Sequence, residues 1–232
     1  MEYLSEFIWR KGARDINEDS LAISEIKICN QSMLLAVICD GIGGLAQGEN
    51  ASTFTVSRLK CAFEQAAREP DMDLRRMRHI LSRQLYTCHR LLKEKGTEAG
   101  APMGTTVCLA LICGRRGYLM SNGDSRIYFG RRRLSPKLPD HTDPRGRLRR
   151  AIGVGSYYPA DLRRIYFGPK DILLLCSDGF YRRNHLSISA PGTFSHLLTP
   201  DQMRGKLEGM YYSALNSGER DNCSAVVLWR NS

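Results

Sequence analysis

The chain has 232 residues and carries 34 Lys and Arg against 24 Asp and Glu, a formal charge of +10, with 42% hydrophobic and 25% charged residues. This is an ordinary globular composition with ample apolar material for a core, and the length suits one domain spanning residues 1–232. No apolar run approaches the roughly 18 residues a bilayer span requires, and the N-terminus lacks a secretory h-region, so the expectation is a cytoplasmic protein without membrane insertion.

In chain order, "SLAISEIKI" alternates like a strand, and "SMLLAVICD" is almost continuously apolar before it ends on Asp40. Two helical stretches follow, about Glu49 to Glu69 and about Asp73 to Lys95, the second with Leu74, Met77, Ile80, Leu81, Leu85 and Leu91 near helical spacing. "GTTVCLALICG" and "RGYLMSNGDSRIYFG" read as a hairpin, and "DLRRIYFG" and "DILLLCSDG" as further strands. A helix starting at Thr199, with Pro200 in its first turn and Gly218 at its end, precedes the last strand, "CSAVVLW". Paired helices between groups of strands predict an α+β fold with largely antiparallel sheets.

Cysteine and arginine usage narrows the chemistry. The eight cysteines contain no CxxC, and several lie inside apolar runs, which predicts reduced core thiols rather than zinc or a disulfide framework. Arginines cluster at Arg131–Arg133 and along "RGRLRR" from Arg145 to Arg150. They read either as solvated surface or as an attraction for anionic phosphoproteins. No nucleic-acid module accompanies them.

Carboxylates recur at strand ends. Asp40 is followed by Gly41, Gly43 and Gly44, and Asp178 by Gly179; Asp221 and Asn222 precede the last strand, Asp124 lies in "GDSR", and Arg14, Glu18 and Asp19 lie in "ARDINEDS". Each segment alone reads as a surface turn. Together, at the edge of a sandwich, Asp40, Asp178 and Asp221 would converge, and repelling carboxylates there need hard cations such as magnesium, manganese or calcium.

Six motifs in order, "RDINED", "DGIGGLAQGE", "GTT", "GDSRIY", "CSDGF" and "DNCSAVV", span Arg14 to Val227. With them the chain resembles the PP2C (PPM) family of metal-dependent protein serine/threonine phosphatases, in its compact bacterial form. The resemblance implies a four-layer αββα sandwich, two mostly antiparallel sheets flanked by helix pairs, with two Mn2+ or Mg2+ ions at one end. It implies Asp40 as the bridging ligand, the carbonyl of Gly41, Asp178 and Asp221 as direct ligands, and Glu18 reaching the second metal. Asp124 matches a weaker third site, while Asp19 and Asn222 support the ligands from behind. Arg14 matches the arginine that grips the substrate phosphate, a task suited to a guanidinium fork; without the resemblance it would read as a surface ion pair with Asp15 or Glu18. The implied reaction is direct attack on phosphorus by water bridging the metals. Implied partners are phosphoproteins and a bacterial serine/threonine kinase whose work it opposes, with a monomer as default.

Two departures stand out against that family. Ile42 occupies the position where eukaryotic members commonly carry a histidine, and the flap between "DHT" (140–142) and "RAIG" (150–153) shortens to an arginine-rich connection. Rival readings are a catalytically weak phosphoprotein-binding relative, which the full set of Asp40, Asp178 and Asp221 opposes, and a basic nucleic-acid binder, which rests on charge alone.

Overall fold

The computed structural model describes residues 3–28, 31–42, 47–194 and 199–230. Gly43 and Gly44, read above as part of the turn after Asp40, and Cys29 lie outside the described residues. Among the described residues, ten strands form two five-stranded sheets in which every pairing is antiparallel, and four helices accompany them. The first sheet runs β1 (Tyr3–Arg10), β10 (Cys223–Arg230), β9 (Ile172–Cys176), β6 (Arg126–Gly130), β7 (Ser135–Pro136). The second runs β2 (Asp19–Ile28), β3 (Gln31–Asp40), β4 (Val107–Cys113), β5 (Arg116–Asn122), β8 (Asp161–Tyr166). This is the expected α+β sandwich with two antiparallel sheets and flanking helix pairs.

The continuous apolar runs follow from burial on both sheet faces. In β3, Leu34, Ala36 and Ile38 pack between the sheets with Leu173 and Leu175 of β9 and Val226 and Leu228 of β10. The alternate residues Met33, Leu35, Val37 and Cys39 face helices α1 (Gly48–Ala66) and α2 (Leu74–Glu98). On the outer side of the other sheet, Leu174, Cys176, Ala225 and Val227 meet α3 (Asp178–Ser189) and α4 (Pro200–Asn216). None of the described cysteines is in a disulfide.

Local signals set the helix ends. Asp73 caps α2 by accepting from the Arg76 backbone N–H at 2.6 Å, and the helix then buries Met77, Leu81, Leu85, Cys88 and Leu92. Thr199 and Gln202 form a capping box at the start of α4, with Pro200 in its first turn. Gly218 follows α4 with φ +85°, the left-handed backbone expected of a glycine past a helix end. α1 stops short of the expected Glu69, and α2 continues past Lys95 to Glu98.

Three elements differ from the sequence reading. β1 forms where charges flank a short apolar patch, paired along its length with β10, and its buried Glu6 is forked by Arg204 of α4, Nε–Oε2 3.0 Å and Nη2–Oε1 3.1 Å. The segment "RGYLMSNGDSRIYFG" is not one strand: β5 and β6 lie in different sheets, separated at Gly123, whose φ is +123°. α3 begins at Asp178 itself, within a segment whose Gly179 and Asn184 weaken any helical pattern. Truncating Leu175→Ala, fully buried between the sheets, is expected to cost about 2–5 kcal/mol, measured by urea unfolding in EDTA; a loss under about 1 kcal/mol would contradict the inter-sheet packing.

Candidate active site

Asp40 is the last residue of β3 and stands opposite Asp19, the first of β2. The backbone of Asp40 is fixed from the neighbouring β4 side. Thr106 accepts from its N–H through Oγ1 at 3.0 Å and donates its own N–H to the Asp40 carbonyl at 2.8 Å, while Thr105 Oγ1 donates to that carbonyl at 2.8 Å. Ser125 Oγ pairs with Thr106 Oγ1 at 2.7 Å. Gly41 follows, its N–H bonded to the Glu18 carbonyl at 3.0 Å. A Cβ on Gly41 would stand 2.3 Å from the Gly48 carbonyl oxygen, so only glycine lets the start of α1 close on this turn.

The other sheet supplies Asp178 and Asp221. Asp178 opens α3, where the positive helix end favours a carboxylate. Ser177, at the cap position, does not cap: its hydroxyl donates to Asp19 Oδ2 at 2.8 Å and accepts from Ser224 N–H at 3.0 Å. The two sheets are thereby tied at the site. Asn222 makes a second tie, because its Nδ2 donates to the carbonyls of Lys11 at 2.8 Å and Ile16 at 2.9 Å while its Oδ1 accepts from Glu18 N–H at 2.9 Å. These bonds hold the loop that carries Arg14 and Glu18. Gly12 in that loop has φ +65°, and a Cβ there would lie 2.1 Å from the Asp221 carbonyl oxygen.

Arg14 does not pair with Asp15 or Glu18; its Nη2 lies 3.0 Å from Asp221 Oδ1. A second guanidinium, absent from the sequence reading, is Arg182 on α3. It donates to Asp178 Oδ2, and its Nη1 lies 3.6 Å from Asp221 Oδ2 and 3.7 Å from Glu219 Oε1.

These elements enclose a cavity of about 230 Å³ lined by Arg14, Glu18, Asp40, Asp124, Asp178 and Asp221, with Ile42 and the flap residues Gly146 and Leu148 on its wall. A larger groove of about 650 Å³ beside α2 mixes Glu94 and Glu98 with Arg90 and Lys93 and gathers no comparable set of acids, so the chemistry favours the smaller cavity. Burial is the first cause of perturbed acidity there. It raises Asp40 well above the carboxylate range, reinforced by Asp19, Asp178, Asp124 and Asp221. It lifts Asp19 to about 7 against the hydrogen bond from Ser177, and Asp178 to about 6 against the charge of Arg182. Glu18 and Asp124 are raised by the same cause.

The donor set fits hard cations. Asp19 Oδ1 is buried without a hydrogen-bond partner among the described residues, and the oxygens lining the cavity are those magnesium and manganese prefer. Among the described residues no three His, Cys, Asp or Glu side chains stand in an arrangement enclosing one cation; Asp178 and Asp221 are engaged by arginines instead. A cysteine nucleophile does not fit: burial pushes the Cys39 and Cys176 thiols well above their usual range, and both side chains pack in the helix-facing cores.

The sequence-expected residues Arg14, Glu18, Asp40, Gly41, Asp124, Asp178, Asp221 and Asn222 all line this cavity, with Asp19 behind it. The reading missed the supporting roles of Thr105, Thr106 and Ser177, although the "GTT" and "CSDGF" motifs contain them. It also missed Gly12 and Arg182, which no spacing singled out.

An acid-lined cavity suited to hard cations, at one end of a two-sheet sandwich, is the class of site that this fold presents. The chain belongs to the protein phosphatase 2C family, whose model matches residues 11–210. It is a serine/threonine phosphatase of that type. It is 26% identical to a serine/threonine phosphatase, stp, of Listeria welshimeri, over 94% of this chain and 92% of the relative. Among solved structures it is similar to the serine/threonine phosphatase Stp1 from Staphylococcus aureus, with 24% identity, TM-score 0.82, and coverage of 98% of this chain and 95% of that one. It is also similar to the catalytic domain of the serine threonine protein phosphatase PstP in complex with two manganese ions, with 24% identity, TM-score 0.78, and coverage of 99% of each chain.

The raised Asp19 carboxyl makes a pH prediction. Its proton is held more tightly in the folded chain, so its stabilising contribution is complete below 3.8 and is lost as pH rises through about 7. In EDTA, Asp19→Asn should therefore gain on the wild type by on the order of 2–3 kcal/mol between about pH 5 and about pH 8. Chemical denaturation at the two pH values measures this, and a relative loss on raising pH would refute it.

Proposed function

We propose that residues 1–232 form one catalytic domain that hydrolyses phosphoserine and phosphothreonine on proteins, using two Mn2+ or Mg2+ ions. The observation that carries this reading is the convergence of Asp40, Asp124, Asp178 and Asp221, from both sheets, in one cavity with Arg14 at its side. In this reading Asp40, the Gly41 carbonyl, Asp178, Asp221 and Glu18 hold the two ions, and Asp124 serves a weaker third. Bound at these oxygens, the ions would supply Lewis acidity and lower the pKa of water for direct attack on phosphorus.

The chain's own residues do the rest. Arg14, half-exposed at the wall, offers a planar fork for two phosphoryl oxygens and balances charge that develops there. Asn222 keeps Arg14 and Glu18 in register with Asp221 through its three hydrogen bonds. Asp19, locked by Ser177, orients what the ligands bind from the rear. Ile42 and Leu148 make the wall partly apolar, which limits bulk water around the reacting group. The physiological role we infer is opposition to a serine/threonine kinase, by a cytoplasmic monomer. Among the described residues no helix is long and apolar enough to cross a membrane.

Hydrolysis of p-nitrophenyl phosphate and a phosphothreonine peptide, with Mn2+ and with EDTA, tests the reading. Turnover should require the metal, and Asp178→Asn should lower kcat by at least about 100-fold, the loss of roughly 2.7 kcal/mol of transition-state stabilisation. Metal-independent turnover would overturn it. The flap carries a separate expectation: Arg147, although paired with Asp143, and Arg149 stand exposed beside the cavity wall formed by Gly146 and Leu148. Reversing both charges should raise KM for acidic phosphopeptides by roughly 3- to 10-fold while sparing p-nitrophenyl phosphate. Equal effects on both substrates would remove the arginines from peptide recognition.

A further inference from the structure

Asp221 is held from both sides. Arg14 takes Oδ1 at 3.0 Å, and Arg182 lies 3.6 Å from Oδ2. Arg182 also donates to Asp178 Oδ2, from one turn further along the same helix. A single guanidinium thus spans the two carboxylates that α3 and the segment before β10 contribute to the cavity. Buried Glu219 lies 3.7 Å behind it. The Arg182 side chain is nonetheless 49% exposed, so its head group can withdraw into water without unfolding anything.

A guanidinium and a dication ask for the same carboxylate oxygens in incompatible ways. Hydrogen bonding leaves nitrogen and oxygen near 2.8 Å, whereas direct coordination of Mg2+ requires about 2.0–2.1 Å. Close approach of a metal to Asp178 and Asp221 also sets two positive charges against the guanidinium. We propose that Arg182 is the resident counter-ion of the metal-free site: it neutralises Asp178 and Asp221 until metal arrives, must release them for metal to bind, and so sets metal affinity. This inference rests on the reading of Asp178 and Asp221 as metal ligands, which the test separates from it.

Isothermal titration with Mn2+ provides a readout independent of turnover. Arg182→Ala and Arg182→Gln should bind Mn2+ roughly three- to tenfold more tightly than the wild type, with Arg182→Lys between them, the scale of two half-exposed ion pairs. In EDTA the two neutral variants should melt below the wild type, and saturating Mn2+ should raise their Tm by more than it raises that of the wild type. If Arg182→Ala does not fold without metal, Arg182→Gln and Arg182→Lys carry the comparison. Native-like variants that bind Mn2+ no more tightly than the wild type overturn the counter-ion role, provided Asp178→Asn loses affinity. Unchanged binding by Asp178→Asn and Asp221→Asn, or no binding by the wild type, overturns the metal-centre reading and this inference with it.

Discussion

Mutual repulsion among buried carboxylates is the constraint around which this molecule is arranged. Asp40 and Asp19 end neighbouring strands of one sheet, while Asp178 and Asp221 lie at strand ends of the other. Asp124 sits at the crossing between β5 and β6, where the chain passes from one sheet to the other. Like charges gathered in this cavity would push the sheets apart at this end. Opposing them are neutral bonds that cross the gap, Ser177 to Asp19 and Asn222 to the Glu18 loop, together with the inter-sheet core of β3, β4, β9 and β10. The site is thus located where the sandwich is most in need of positive charge, and the arginines and the proposed ions answer the same need.

Much of this was readable from residue order, for identifiable reasons. Two-sided burial of β3, β4, β9 and β10 leaves continuous apolar runs that declare themselves as strands, and Thr199–Pro200 and Asp73 mark helix starts by their own chemistry. Acids at strand ends followed by glycine also stand out, because buried charge and close backbone approach are both unusual requirements. Gly41 shows the limit of that reasoning. Its glycine is demanded by the Gly48 carbonyl of α1, a contact between segments that spacing along the chain does not encode.

What was not legible depended on partners distant in sequence. Nothing near Glu6 in the sequence signals its burial in β1, because its partner Arg204 lies 198 positions away. Arg182 looked like one of many arginines, since only the folded chain brings Asp221 to the residue one turn after Asp178. Ser177 is a sharper case. A serine before a helix should cap it, yet its hydroxyl is diverted to Asp19 and the cap is forgone. A local rule yields there to the larger cost of leaving a buried carboxylate without a donor.

The wall of the cavity bears on how a leaving alkoxide acquires its proton. The described lining has no histidine, lysine or tyrosine, and Ile42 stands beside Gly41. Thr106 is a poor donor toward substrate, because its hydroxyl is shared between the Asp40 N–H and Ser125. The carboxyls whose proton affinity is raised, Asp40, Asp19 and Asp178, owe this first to burial and then to neighbouring carboxylates. Dications held among them would favour the ionised carboxylates. In the metal-loaded enzyme proposed above, no side chain of the described wall then combines reach with a proton to give. Water becomes the remaining source of that proton.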